Sequence, residues 1–245
     1  MNRTGLAMET AAMASDKSGV RVLSRNVGGV GITDVRVSET AQRLGKPAGR
    51  YITLEGEPDA QSMTALLKRA IEQVIPRQGR LFAAGLGNPD ITQDSLGALS
   101  VRSMAAREPG SGIRYSLAAI ETDIAVRTGI DTVRLVRSAA NEIGADCVIA
   151  VDSLACRDPR LIGRTVQISD TGIIPGSGAS GSRRELSERT VGIPVAVIGV
   201  PTVTELSSVT RSDRDNGFLV TTGDIDITVK MWAETLAAAV NGIVR

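Results

Sequence analysis

Short aliphatic runs, alternating with segments of helical periodicity, set the fold class of this 245-residue chain. The clearest runs are "RLFAAGLGN" (80–88), "CVIAVDSLA" (147–155) and "IPVAVIGVPT" (193–202). Continuous stretches of Val, Ile, Leu and Ala are typical of strands buried on both faces of a sheet. Because aromatic residues make up only 2% of the chain, its core has to be built from such aliphatic side chains.

The segments between the runs predict helices and further strands. Apolar residues at helical spacing predict helices over 59–75, 131–145 and 224–244, and Gly144 stands where a C-terminal cap belongs. Further strands are expected at 31–38, 49–56 and 164–169. We therefore predict an α/β fold, a single doubly wound sheet, mixed but mostly parallel, flanked by helices.

The domain organisation follows from where regular patterns begin. Residues 1–30 are small, polar and glycine-bearing, and they predict an irregular N-terminal arm, either a pro-segment or the mature N-terminus. Residues 31–245 are expected to form one α/β domain, in which residues 98–128 have the least regular pattern.

The absence of histidine excludes several kinds of active site. Histidine is the usual general base near neutral pH and the commonest metal ligand. Without it, Ser-His-Asp and Cys-His mechanisms and HExxH zinc sites cannot be assembled within this chain. Acid–base chemistry must then fall to carboxylates, lysines, a tyrosine or a cysteine.

Charge and hydropathy narrow the possible binding partners, and cysteine content indicates the cellular compartment. The net charge is +1, with no long run of one sign, so we expect no direct nucleic-acid binding. No segment reaches the about 18 apolar residues of a membrane span, and we expect no membrane partner. The two cysteines, Cys147 and Cys156, fit a reducing cytoplasm better than a disulfide framework.

The stretch "GLGNPDITQDSLG" (85–97) has two possible interpretations. It opens like a phosphate-binding loop, but a GxGxxG fingerprint needs a third glycine, and Gly87 is followed by Asn88, Pro89 and Asp90. No GK[ST] sequence follows, and acidic groups beside a phosphate would repel it. The alternative is that the loop holds the Asp94 carboxylate in a cleft.

Asp152 is the expected partner of Asp94. It follows the apolar residues of "CVIAVDSLA", so we expect the strand to end there, at the carboxyl edge where open α/β sheets bind ligands. Two neighbouring carboxyl groups cannot both ionise cheaply, so one can activate a water while the other polarises a carbonyl. Spacing alone leaves a second possibility equally open, that each aspartate caps a helix or turn.

Other candidate acids are weaker. Asp170 belongs to "SDTGI", which contains the Asp-Thr-Gly of pepsin-like proteases, but only once and in an α/β pattern, so it is a reserve acid. Glu55 ends a strand and is expected to be a surface carboxylate. Asp123 and Asp131 are expected to be caps.

Several segments occur together in the order found in one known family. They are "GKPAGRYITLE", "GLGNPDITQDSLG", "TGIDT", "CVIAVDSLACR", "QISDTGIIPGSGASGSRRELS" and "GIPVAVIGVPTV". The chain resembles, through nearly its whole length, the germination protease (spore protease) family, whose members degrade the small acid-soluble proteins that coat spore DNA.

The resemblance implies an aspartic-type endopeptidase on a fold unlike pepsin's. We expect no cofactor and no metal, since the chain has no histidine to complete a metal site. The family's two essential aspartates correspond to Asp94 and Asp152. It also implies a cytoplasmic protein of the spore core, a homotetramer, made as a zymogen that sheds an N-terminal propeptide near the region similar to residues 3–16. Gly5 stands where the family usually has aspartate, and residues 97–103 and 119–130 depart from the family's sequence pattern.

A more distant resemblance is to the hydrogenase maturation proteases, which share a GxGN loop and a strand-end aspartate. Those enzymes use a histidine as well, which this chain lacks. An alternative function is a non-catalytic or degenerate family member that binds a small anion or peptide through the backbone N–H groups of "GLGN" and "PGSGASGS" (175–182). The latter loop is also a candidate for shaping the cleft.

Overall fold

One mixed sheet organises the chain in a computed structural model, which describes residues 4–41, 45–175, 184–212 and 217–245. Its described strands are β1 (Val20–Val27), β2 (Val30–Val37), β3 (Gly49–Glu55), β4 (Gly79–Gly85), β5 (Tyr115–Glu121), β6 (Cys147–Cys156), β7 (Thr165–Ser169), β8 (Val195–Glu205) and β9 (Leu219–Val220). Their order is β1-β2-β3-β7-β8-β6-β4-β5, and β9 pairs with β8.

The sheet has a parallel and an antiparallel half. Strands β8, β6, β4 and β5 run parallel to one another, whereas β1, β2, β3 and β7 pair antiparallel with their neighbours. The aliphatic runs form β4, β6 and β8, whose central residues are buried. The prediction of a single mixed sheet with mostly parallel core strands between helices is confirmed.

Helices cover both faces of the sheet. They are α1 (Ala7–Met13), α2 (Met63–Ile71), α3 (Leu96–Arg102), α4 (Ala125–Thr128), α5 (Thr132–Glu142), α6 (Glu188–Val191), α7 (Leu206–Thr210) and α8 (Ile225–Val244). Helices α2, α3 and α8 pack on one face, and α5 and α6 pack on the other, where α1 covers β2 and β3. Among the described residues, no helix is long and apolar enough to cross a membrane.

The ends of α5 show how the sequence sets a helix. The Asp131 side chain accepts a 2.9 Å hydrogen bond from the N–H of Arg134, which caps the start of the helix. At the other end Gly144 adopts a left-handed φ of 63°, and Ala145 donates to the Ala140 carbonyl at 2.9 Å. The predicted roles of Asp131 and Gly144 are therefore confirmed.

Two segments expected to be irregular contain regular structure. The described part of the 1–30 arm contains α1 and β1, and residues 98–128 contain β5. Both strands lie at the ends of the sheet, and β1 is exposed at seven of its eight positions. An edge strand with so little burial needs no aliphatic run, so the pattern used to find β4, β6 and β8 misses it.

Candidate functional site

The site lies where the strand order of the parallel half reverses. From β4 the chain passes through α3 to β5 on one side, and from β5 it returns through α5 to β6 on the other side of β4. Helices α3 and α5 pack on opposite faces, so a crevice opens between β4 and β6 at their carboxyl ends. In open α/β sheets this crevice is the usual place for a ligand.

The exit from β4 is a tight turn made possible by glycine. Gly87 has a φ of +95°, and a Cβ there would lie 2.2 Å from the Asp94 carbonyl oxygen. A Cβ on Gly97 would lie 2.3 Å from the Leu86 carbonyl oxygen and 2.5 Å from that of Val151. These glycines therefore serve the close approach of backbone segments, and not the wrapping of a phosphate.

The same loop uses its own backbone donors internally. The N–H of Leu86 donates to the Val151 carbonyl at 2.8 Å, that of Asn88 to Asp94 Oδ2 at 2.7 Å, and that of Asp90 to Asn88 Oδ1 at 3.0 Å. An anion-binding nest requires such N–H groups to point at the ligand. The geometry of "GLGN" therefore gives no support to the anion-binding alternative.

Asp94 ends a short 3-10 turn (Thr92–Asp94) that packs against β6 and β8. The turn is tied to β8 by a 2.6 Å bond from Thr202 Oγ1 to the Gln93 carbonyl. Helix α3 has Ser95 as its N-cap, and the Asp94 carboxylate bonds backwards to Asn88. This geometry does not fit the capping interpretation of Asp94.

Asp152 is 2% exposed, and its Oδ1 accepts a 3.0 Å bond from the Ser153 N–H. The prediction that its strand ends there is wrong, because β6 continues to Cys156 and stays paired with β8. What ends is the pairing with β4, whose last partners are Gly85 and Val151. Asp152 is therefore the first residue of β6 beyond the β4 ladder.

The structure brings the two aspartates to the same edge of the sheet. Asp94 contacts Gly87, Gly87 follows Leu86, and Leu86 is hydrogen-bonded to Val151, the residue before Asp152. The exits of β4 and β6 were predicted to converge, and this chain of direct contacts links them. A catalytic role for the pair stays a prediction.

A cavity of about 230 Å³ opens beside Asp94. Its walls are Leu86 and Gly87 at the β4 exit, the segment 123–126, the start of α5, Pro175 and Arg184. Residues 176–183, which hold nearly all of the predicted cleft-shaping loop, lie outside the described residues.

A charged cluster that includes the cavity residue Asp123 was missed by sequence reasoning. Arg127 Nη1 lies 2.5 Å from Asp90 Oδ2 and donates to Asn88 Oδ1 at 2.8 Å, while its Nε lies 3.3 Å from Asp123 Oδ2. Asp123 has a left-handed φ of 55° and is not the N-cap of α4, which is Ile124. The spacing of Asp123 and Arg127, four residues apart, was the available signal.

The other predicted acids lie elsewhere. Asp170 follows β7 at the opposite edge of the sheet, where its Oδ1 accepts a 2.7 Å bond from the Arg50 N–H. It is therefore not part of the site. Glu55 is exposed, as predicted, and its strand β3 is separated from β6 by two strands, β7 and β8.

The two cysteines are buried, and burial raises the pKa of both Cys147 and Cys156 to about 12. At neutral pH they are protonated thiols and not nucleophiles. Within the described ranges, no group of three or more Cys, Asp or Glu side chains is placed to hold a metal ion.

Comparison with known proteins identifies relatives of most of the chain. The family model described as germination protease matches residues 3–223. Germination proteases of Bacillus cytotoxicus and Bacillus cereus are each 36% identical, over 243 and 242 residues, with 87% of this chain covered. The match covers 66% of each relative's length.

Among solved structures, the NiFe hydrogenase maturation protease HycI from Thermococcus kodakarensis aligns with a TM-score of 0.44 and 18% identity. The alignment covers 71% of this chain and 97% of that one.

Proposed function

Because this chain belongs to the germination protease family, we propose that it is an endopeptidase that hydrolyses small acid-soluble spore proteins with the carboxyl groups of Asp94 and Asp152. One observation carries the proposal: both aspartates lie at the switch point of the sheet, joined through Gly87, Leu86 and Val151. That is where an α/β sheet presents its ligand site.

The proposed reaction divides the work between the two carboxyl groups. One ionised carboxylate takes a proton from a water, and the water oxygen attacks the scissile carbonyl carbon. The second carboxyl group, holding a proton, donates a hydrogen bond to the carbonyl oxygen as negative charge develops there. The C–N bond then breaks, and the amine leaves with the proton that the first carboxylate took.

The surroundings of the two aspartates differ. Asp94 lines the cavity, so it is placed to contact a water and a peptide bound there. Asp152 is almost completely buried in a strand held by β8, which fixes its position. Sites on strands and tight turns keep catalytic geometry better than sites on long loops.

Family membership also motivates the finer proposals of a zymogen, a homotetramer and a location in the cytoplasm of the spore core. The N-terminal arm supports the first of these, because it packs close to the site. Gly5 N–H donates to the Ala155 carbonyl at 2.7 Å, and the Gln167 side chain bonds the Ala7 N–H at 2.7 Å. The arm thus lies along β6 three residues from Asp152.

The decisive experiment replaces each aspartate by its uncharged isostere. Asp94→Asn and Asp152→Asn should each lower cleavage of a purified small acid-soluble spore protein by about a hundredfold or more. Cleavage is followed on gels, and the products are identified by mass spectrometry. Asp170→Asn, a matched change at the opposite edge of the sheet, should leave the rate unchanged. Normal activity in either of the first two variants contradicts the assignment.

A further inference from the structure

We propose that Arg127 is a positioning residue for Asp94, acting through Asn88; this inference rests on the function proposed above. The guanidinium holds the Asn88 side chain, and the backbone N–H of Asn88 holds the Asp94 carboxylate. Through these two contacts Arg127 acts on Asp94 indirectly.

The first step of the relay is the set of contacts made by the Arg127 guanidinium. Nη1 reaches both Asp90 and Asn88, and Nε reaches Asp123, so one planar group binds residues of two different loops. Asp90 belongs to the loop after β4, whereas Asp123 belongs to the loop after β5. A guanidinium presents several donors in a fixed geometry, which a single ammonium cannot reproduce.

The second step is the conformation of Asn88. The residue is 8% exposed, and its Oδ1 accepts bonds from Arg127 at 2.8 Å and from the Asp90 N–H at 3.0 Å. Because Arg127 and the Asp90 N–H hold this side chain in place, the Asn88 backbone N–H is directed at Asp94 Oδ2, 2.7 Å away. A change in the Asn88 backbone therefore moves a direct contact of the carboxylate.

The third step concerns charge. Asp94 and Asp123 line the same cavity, and Asp90 shares the Arg127 guanidinium with Asp123. Like charges at close spacing drive the two loops apart. Arg127 places a positive charge between Asp90 and Asp123. It thereby closes the β4 and β5 loops on each other while Asp94 stays open to the cavity.

The contact is tested first without any activity assay. Hydrogen exchange of the segment 86–95 is measured by mass spectrometry in the full chain and in Arg127→Gln. We expect faster exchange in this segment for the variant. Arg164→Gln is the matched control, since Arg164 makes an exposed ion pair with Glu57 outside the site. Unchanged exchange in Arg127→Gln overturns the inference.

The functional consequence is tested by kinetics on a small acid-soluble spore protein. We expect Arg127→Gln to lower kcat by about tenfold to a hundredfold, with KM nearly unchanged, because the catalytic group is misplaced and substrate contacts remain. Arg127→Lys should recover only part of the rate. A loss confined to KM, or no loss, overturns the inference.

A double-mutant cycle separates the relay from a general loosening of the fold. Asn88→Ala removes the acceptor of Arg127 but keeps the peptide N–H, and the double variant should lose no more rate than Arg127→Gln alone. Additive losses contradict the relay. If Arg127→Gln does not fold, Asp123→Asn removes one of the two carboxylates that anchor the same guanidinium and keeps a residue that tolerates the left-handed backbone.

The inference and the proposed function fail differently. If Asp94→Asn cleaves normally, the proposed function is wrong, and the exchange result still decides whether Arg127 holds the loop. If Asp94→Asn is inactive while Arg127→Gln shows normal exchange and kcat, only the positioning role is wrong.

Discussion

The backbone N–H of Leu86 donates a 2.8 Å hydrogen bond to the carbonyl oxygen of Val151. This bond extends the contact between β4 and β6 past the end of their ladder, at the residue before Asp152. Because Gly87 follows Leu86 and lies against Asp94, a single backbone bond connects the surroundings of both aspartates. The geometry of the proposed pair therefore depends on how closely the β4 exit packs.

The first prediction concerns Gly87. Gly87→Ala places a Cβ 2.2 Å from the Asp94 carbonyl oxygen on a backbone with φ +95°. Gly192 has nearly the same φ, +94°, with nothing within 4 Å of a Cβ, so Gly192→Ala isolates the backbone strain. We expect Gly192→Ala to cost about 1–2 kcal/mol of unfolding free energy.

Gly87→Ala should cost about 1–3 kcal/mol more than the control, since the overlap adds to the strain. It should also lower peptidase activity, because the atom that must move belongs to Asp94. Urea denaturation and the cleavage assay measure the two effects. Equal stability of the two alanine variants would contradict the packing argument.

The second prediction concerns the anchor of the Asp94 turn. Thr202→Val removes the hydroxyl that donates to the Gln93 carbonyl, in a residue that is 1% exposed. Thr165→Val removes a buried hydroxyl that bonds Leu161 away from the site. Each change should cost about 1–3 kcal/mol of unfolding free energy. Only Thr202→Val should also lower kcat, and a similar kcat loss in both variants would show that the anchor has no special role.

The predictable part of the fold was the part buried on both faces. Strands β4, β6 and β8 carry continuous aliphatic runs because helices cover both sides of them. Such runs can be recognised from the sequence alone. Strand β1 pairs on one side only and is mostly exposed, so its residues need not be apolar. Strand β1 forms because it pairs with β2, and a local sequence pattern does not reveal that pairing.

The candidate site was predictable to a similar extent. The placement of Asp94 and Asp152 at one edge of the sheet was predictable because parallel strand exits meet there. The end of β6 was misplaced because the apolar run stops at Asp152, whereas the strand continues for as long as β8 supplies partners. Arg127 was missed because its contacts with Asn88 and Asp90 join two loops that are distant in sequence.

The third prediction concerns the cysteines. Burial raises the pKa of Cys147 and Cys156 from 9.0 to about 12, so both thiols stay protonated in the folded protein at pH 8. We expect iodoacetamide to leave the folded protein unmodified at pH 8 and to modify both cysteines in urea, as read by mass spectrometry. Similar rates of modification in folded and unfolded protein would contradict the burial.

The same shift predicts how stability depends on pH. Above pH 9 the unfolded chain loses its thiol protons while the folded chain keeps them. The contribution of each thiol to the unfolding free energy is therefore fully present below pH 9 and decreases as the pH rises towards 12. Replacing both cysteines with alanine should flatten this part of the curve, measured by urea denaturation, and an unchanged slope would contradict the assignment.

The last prediction concerns the attachment of the N-terminal arm. The Glu9 carboxylate accepts the backbone N–H of Asp158 at 2.7 Å and that of Arg157 at 3.0 Å, and it also accepts the Thr4 hydroxyl. The bonds from Asp158 and Thr4 are half-buried, and removing a charged acceptor from such donors costs about 1–3 kcal/mol. Glu9→Ala should therefore lower the unfolding free energy by that amount and release the arm from the end of β6.

Release of the arm is measured by hydrogen exchange of residues 4–14, which should become faster in Glu9→Ala. Glu108→Ala is the matched control, because Glu108 is a glutamate whose side chain is 91% exposed and forms one 3.4 Å ion pair, with Arg80. Exposed pairs of this kind contribute about 0–1 kcal/mol, so that variant should keep normal exchange and stability. If Glu9→Ala behaves like Glu108→Ala, the carboxylate does not hold the arm, and the buried contacts of Leu6 and Ala7 do so by themselves.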